Sequence, residues 1–231
     1  MTESLPVKTN KPDWRDQTTW PLHSTPTYKV NETVVRAFVA LFTRFEAIGT
    51  ENIPAGACIV APNHSSNYDP MFVGVGTYPR QLFFMGKQEL YKNPVAAWYF
   101  RQCGTFPVNR GMRDQWALRH AGRVLEAGRL LCMFPEGTRS KTAQLAKGKI
   151  GTVKLALEHN APIVPVAIIG SRAVKVGLKR TPVKVIFDKP LYLQKEAGVP
   201  PYEYQTIRDL THELMQRIAV MLPPENRGFY A

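Results

Sequence analysis

A few short apolar runs, each ending in a cluster of polar residues, leave this chain little choice of fold class. Residues 57–61 (Ala-Cys-Ile-Val-Ala) are β-branched, bounded by Gly56 and Pro62, and too short for a buried helix, so they read as a buried strand. Residues 130–134 are too continuously apolar for a strand with one wet face. Ile163–Ile169 is the strongest strand of the chain, and Pro165 within it implies an edge or bulged position. Residues 81–85, Thr105–Val108 and 183–187 are further strands. Between them lie helical segments at 70–76, Pro94–Gln102, 114–127 closed by Gly128, and 150–159, with a last helix over 202–222 bearing Ile207, Leu210, Leu214, Ile218 and Met221 on one face. Asn31-Glu32 is a cap signal for an amphipathic helix over 31–46, with Val34, Val35, Phe38, Leu41, Phe42 and Phe45 at helical spacing. Strands alternating with helices over 231 residues predict an α/β single domain: one mixed, twisted sheet flanked by helices, its strands aiming their C-terminal ends at one cleft.

The expected boundaries are a polar N-terminal tail over 1–30, a folded domain over 31–222, and a C-terminal tail over 223–231. The first tail reads as flexible or draped, and its Trp14 and Trp20 would also suit a lipid headgroup layer. No signal peptide opens the chain, and no apolar run approaches the roughly 18 residues of a spanning helix. The expected location is therefore cytoplasmic, with at most peripheral contact at the cytoplasmic face of a membrane. Cys58, Cys103 and Cys132 are odd in number and sit among apolar or small residues, as core thiols do in a reducing compartment. Thirty Lys plus Arg against 18 acidic residues give a net charge of +12, which calls for an anionic partner. The cations are scattered, with no basic arm, zinc-finger spacing or RNP-like motif, which argues against nucleic acid.

Chemistry concentrates at strand ends. Just past 57–61 comes Asn63-His64-Ser65-Ser66-Asn67-Tyr68-Asp69. A carboxylate accepting a hydrogen bond from one imidazole nitrogen fixes the tautomer and leaves the other as a base near neutral pH. His64 is the candidate base and Asp69 its orienter. The alternative is a loop histidine beside a helix cap. Lys87 follows another strand end, either ligand-facing or simply solvated. Residues 104–111 place Arg110 at the end of Thr105–Val108. After 130–134 comes Phe134-Pro135-Glu136-Gly137-Thr138-Arg139-Ser140, where Gly137 permits close backbone approach, Thr138 supplies a hydroxyl and Arg139 can grip a phosphate bidentately. Lys147 and Lys149, flanking Gly148 just before a helix, could share that phosphate.

Taken in order, these clusters, with Val164-Pro165-Val166-Ala167 as a fourth, resemble the glycerolipid acyltransferase family, whose best-known members are the 1-acylglycerol-3-phosphate acyltransferases. The family's first block, Asn-His-x4-Asp, and its third, Phe-Pro-Glu-Gly-Thr-Arg-Ser, are matched without substitution; the second has Asn109 where many members carry Asp. The resemblance implies a glycerolipid acyltransferase-like fold and direct acyl transfer from acyl-CoA or acyl carrier protein to the free hydroxyl of a lysophospholipid, giving phosphatidic acid when the acceptor is 1-acylglycerol-3-phosphate. His64 and Asp69 would be catalytic. Lys87, Arg110, Glu136, Gly137, Thr138, Arg139 and Lys147 would bind the acceptor and its phosphate, with Glu136 on a glycerol hydroxyl. Neither metal nor cofactor is expected. Alternatives are another lysolipid or polar acceptor, a hydrolase using Ser65 or Ser66, and a non-catalytic binder of anionic lipid. Phe72, Phe83, Phe84 and Trp98 are candidates to line an acyl tunnel.

Overall fold

The structure, a computed structural model, describes residues 13–110, 114–177 and 179–231. Residues 1–12 of the expected tail and Gly111 beside Arg110 lie outside that set.

Among the described residues seven strands form one sheet in the order β1-β7-β6-β2-β5-β3-β4. They are β1 (Thr43–Ile48), β2 (Cys58–Pro62), β3 (Leu82–Lys87), β4 (Thr105–Val108), β5 (Leu130–Cys132), β6 (Ile163–Ile169) and β7 (Thr181–Phe187). The helices are α1 (Pro26–Phe42), α2 (Asp69–Gly76), α3 (Pro94–Gln102), α4 (Gln115–Glu126), α5 (Gly151–Glu158), the short α6 (Gln194–Ala197) and α7 (Tyr204–Met221). β2 to β6 run parallel, whereas β7 pairs antiparallel to β6 and parallel to β1, so the sheet is mixed as expected. Five strands thus send their C-terminal ends to the same edge, and the polar clusters go with them.

Alternation along the buried strands sorts one continuous apolar run onto two faces. Ile59 and Ala61 pack with Ala117, Ala121 and Val124 of α4, Val153 and Ala156 of α5, and Leu214 and Ile218 of α7. Cys58 and Val60 point the other way, against Val39 of α1 and Phe72 and Val73 of α2. All three cysteines are free thiols; Cys58 and Cys132 are buried, and burial pushes the Cys58 thiol up to about 12.

Three expectations differ from the fold. The helix read over 31–46 begins earlier, at Pro26, because the Thr25 hydroxyl accepts from Tyr28 N (3.0 Å) and Pro26 suits a first turn. It also stops earlier, where Thr43 Oγ1 donates to Val39 O (2.6 Å) and the chain extends into β1. Phe45, in phase with the helical stripe, instead lies in β1, its ring 6.0 Å from Phe72. Second, of the two positions expected for Pro165 the structure shows the bulged one and not the edge: β6 is an interior strand, and the three steps from Val166 to Ile163 face four from Phe187 to Leu191. The regular β6–β7 register starts at Val166↔Phe187 and resumes only as a bridge at Ile163↔Leu191, so the missing N–H falls at a break in that ladder, while Pro165 O still accepts from Asp188 N (2.9 Å). Third, residues 13–25 are packed rather than trailing. Trp20 is buried against Trp116 (5.2 Å) and His120 (5.8 Å), and Arg15 pairs with Asp114 (2.6 Å) and lies over the Trp116 ring. At the other end, Leu145 N donates to Asn226 O (2.9 Å) and Phe229 N to Leu145 O (3.0 Å), tying residues 224–230 to the loop before α5.

Candidate active site

The first polar turn is built by the end of β2. Asn63, next after that strand, continues its pairing with a side chain: its amide exchanges two hydrogen bonds with the backbone of Ile168, at 2.7 and 3.1 Å. The chain leaves the sheet there, and His64 is the first residue free of the ladder.

Asp69 opens α2 fully buried, with four donors on its carboxylate. His64 Nδ1 (2.9 Å) and the backbone amides of Ser65 and Ser66 (2.7 Å each) converge on Oδ2, and Ser171 Oγ donates to Oδ1 at 2.5 Å. A carboxylate so placed accepts a hydrogen bond from Nδ1–H and keeps the ring's proton on that nitrogen, which leaves Nε2 as the acceptor nitrogen. The imidazole is further held by stacking on Phe134, with centroids 4.0 Å apart and planes 24° from parallel. Ser171 has no counterpart in the sequence reading; the available signal was its position just beyond the strongest strand, after Gly170.

The second polar turn, at the end of β5, is stitched to the first. His64 N donates to Glu136 Oε1 (2.7 Å), Ser140 N donates to His64 O (2.8 Å), and Ala146 N donates to Glu136 Oε2 (2.9 Å). Glu136 is 3% exposed, with its two oxygens spent on backbone amides. Burial pushes its carboxyl up, against the amides of Ala146 and His64, which pull it down. The expectation that Glu136 faces an acceptor hydroxyl therefore gives way to a structural clip between the two turns. Gly137 sits at φ +73°, with Lys149 lying close over it, so a side chain there would meet both strain and a neighbour.

The cleft above these turns encloses about 670 Å³. His64, Asn67, Lys87, Arg110, Phe134, Thr138 and Arg139 line its polar end, so the imidazole and the Arg139 guanidinium share one opening. Arg139 donates to Asn67 Oδ1. Among the described residues none of Lys87, Arg110 and Arg139 has a carboxylate within ion-pair distance. Away from the cations the wall turns apolar, with Val35 of α1, Met71 and Val75 of α2, Leu82 and Phe84 of β3, and Phe100 of α3. Of the four aromatics expected to line a tunnel only Phe84 does so. Phe72 and Phe83 are core residues, and Trp98 is exposed outside the cleft. Lys147 is not in this cleft: it lines a separate hollow with Phe229 and Arg208. The backbone between Lys147 and Lys149 passes Gly148, whose N–H donates to Tyr230 Oη (3.0 Å).

A family model described as Acyltransferase matches residues 44–169, from β1 through β6 and both polar turns. The chain belongs to the acyltransferase family. This acyltransferase is 30% identical over 192 residues to a 1-acyl-sn-glycerol-3-phosphate acyltransferase of Bacillus subtilis, covering 83% of the chain and 94% of that relative. To the enzyme of the same name from Streptococcus pneumoniae it is 34% identical over 161 residues, covering 69% of the chain and 59% of the relative. Among solved structures, the crystal structure of the 1-acyl-sn-glycerophosphate (LPA) acyltransferase PlsC from Thermotoga maritima superposes with a TM-score of 0.63 at 30% identity, covering 82% of this acyltransferase and 77% of that chain.

Proposed function

We propose that this acyltransferase moves a fatty acyl group from a thioester donor to the free hydroxyl of 1-acylglycerol-3-phosphate, giving phosphatidic acid. The observation that carries the reading is the imidazole pinned through Nδ1 to the buried Asp69, in a cleft whose other polar groups are three cations without carboxylate partners among the described residues. His64 Nε2 takes the proton of the acceptor hydroxyl as its oxygen attacks the thioester carbonyl. The tetrahedral intermediate then collapses, the carbon–sulfur bond breaks, and the thiolate recovers the proton from the imidazolium. Asp69 keeps the tautomer and offsets the positive charge that forms on the ring. Lys87, Arg110 and Arg139 hold the acceptor phosphate, Thr138 adds a hydroxyl, and Gly137 lets the turn bend beneath them. The apolar wall receives an acyl chain. No step in this scheme calls for a metal or cofactor.

Peripheral contact with an anionic membrane on its cytoplasmic face fits the surface beside the cleft. No helix among the described residues is long and apolar enough to cross a membrane. Val30, Val34 and Leu41 of α1 and Val95 and Trp98 of α3 are nevertheless exposed, near Lys29 and Lys92. A helix that shows lipid one face and the cleft another would pass a lysophospholipid from bilayer to base. The test is purified protein with acyl-CoA or acyl carrier protein as donor and 1-acylglycerol-3-phosphate as acceptor. Free thiol and phosphatidic acid should appear together, and both should vanish in His64→Ala; thiol release without a lipid product would mark a hydrolase.

A further inference from the structure

The hollow that takes Lys147 away from the cleft is itself built like a site. It encloses about 480 Å³ between the loop before α5, the start of α7 and the turn Gly228–Tyr230. Lys147 and Arg208 bring two positive charges to it, and among the described residues neither has a carboxylate within ion-pair distance; Lys149 also lines it, but its ammonium is turned over Gly137. The one acidic lining residue, Asp209, already accepts from Gln205 Nε2 (2.7 Å). Two aromatic rings stand largely in solvent at its rim, Tyr204 at 64% and Phe229 at 60% exposure. Lys147 Nζ lies 5.6 Å from the centre of the Phe229 ring, and Arg208 Cζ 6.0 Å from that of Tyr204, so each ring is paired with a cation. Tyr230 braces the floor, its ring tilted 45° against His212 (5.3 Å) and its hydroxyl accepting from Gly148 N–H. Exposed flat rings next to unpaired cations are the combination that binds a base by stacking and its phosphates by charge.

The hollow and the catalytic cleft share a wall. Residues 134–150 present Phe134, Thr138 and Arg139 to the cleft, and Lys147 and Gly148 to the hollow, while Lys149 ties the two sides together, its N donating to Pro135 O (2.8 Å) and its side chain lying over Gly137. We infer that this hollow binds the adenosine bisphosphate end of an acyl-CoA donor, leaving its long flexible arm to cross the wall and bring the thioester to His64. The inference rests on the acyl-transfer reading and adds to it a donor class and a place for the donor. It also gives Lys147 a role that the acceptor phosphate does not.

The test combines binding with kinetics. Adenosine 3′,5′-bisphosphate, titrated calorimetrically into the full chain, should bind at least about ten-fold more weakly to Lys147→Glu, Arg208→Glu and Phe229→Ala than to the wild type, while glycerol 3-phosphate should bind all four alike. In turnover, the variants should raise KM for acyl-CoA by a similar factor, with kcat and the acceptor KM unmoved, and should leave KM for acyl carrier protein, which carries no nucleotide, unchanged. Equal bisphosphate affinity in wild type and variants would overturn the inference, as would an equal rise in KM for both donors, which would mark a general anionic docking face. Because the titration needs no turnover, a chain that binds the bisphosphate here but acylates nothing would refute the reaction and not the site. Thermal unfolding of each variant checks that it folds.

Discussion

Glutamine at position 136 separates two roles for a residue that motif reading alone assigns to the acceptor. The native carboxylate, itself buried, holds the backbone amides of His64 and Ala146, one per oxygen, at 2.7 and 2.9 Å. Glutamine has one acceptor oxygen. Its amide nitrogen would face either His64 N–H or Ala146 N–H, donor against donor. One charge-assisted bond is lost, worth about 1.5–3 kcal/mol, and the new amide nitrogen, buried where the carboxylate oxygen was, is left facing a donor at about 1–3 kcal/mol. Part of this is returned because the ionised carboxylate already suffers from burial. The expected net loss is about 2–4 kcal/mol, or roughly 4–16 °C in Tm for a chain of this size. Freed from the clip, the His64 backbone should shift and kcat should fall, while KM for 1-acylglycerol-3-phosphate stays near the wild-type value. Arg139→Ala should do the reverse, raising that KM about ten-fold or more with little change in Tm. Differential scanning calorimetry and initial rates on the two variants suffice. A Glu136→Gln protein as stable as the wild type, defective only in acceptor KM, would refute the clip and restore the carboxylate as a substrate ligand.

His120 is buried among Trp20, Phe106 and Trp116, and burial, with Arg123 adding repulsion, lowers it to about 4. The unfolded chain takes up that proton near 6.5 and the folded one only near 4, so stability is fully present above about 6.5 and is lost as pH falls through that window, by about 1.4 kcal/mol per unit. His120→Phe should flatten this part of a urea-denaturation series run from pH 7 to 4. Trp20→Ala should cost about 3–5 kcal/mol in urea denaturation, far more than loss of a trailing segment would. Val75→Phe, which fills the apolar wall of the cleft, should lower kcat/KM for long-chain donors about ten-fold or more relative to short-chain ones, read by mass analysis of mixed-donor products.

The strand-end clusters were legible because each follows a short apolar run, and such a run dictates both a strand and the direction of its exit. Thr105–Val108, Ile163–Ile169 and Pro94–Gln102 came out to the residue. β1 was hidden because Phe45 keeps the three-residue spacing of Phe38, Leu41 and Phe42, and a half-exposed edge strand adds no apolar run of its own. What ended the helix is a single hydroxyl, Thr43, turned back onto Val39. The packing of Trp20 depends on partners about a hundred residues away, which no local pattern records. At the two polar turns, their place at strand ends was readable and the direction of their side chains was not. Nothing in Pro-Glu-Gly says that the carboxylate turns inward to the backbone, and nothing in Lys-Gly-Lys says which side of the wall each lysine takes.

The central claim is that His64 acts as a base through Nε2 because Asp69 holds its Nδ1 proton. The most direct measurement is kcat for Asp69→Asn and His64→Ala, with folding confirmed by thermal unfolding. Asparagine keeps the shape and one acceptor oxygen but removes the charge that supports the imidazolium. The account predicts a fall of about 10²- to 10⁴-fold for either variant, with the double variant little worse than the singles. Folded Asp69→Asn or His64→Ala protein that still turns over within a few-fold of the wild type would contradict it.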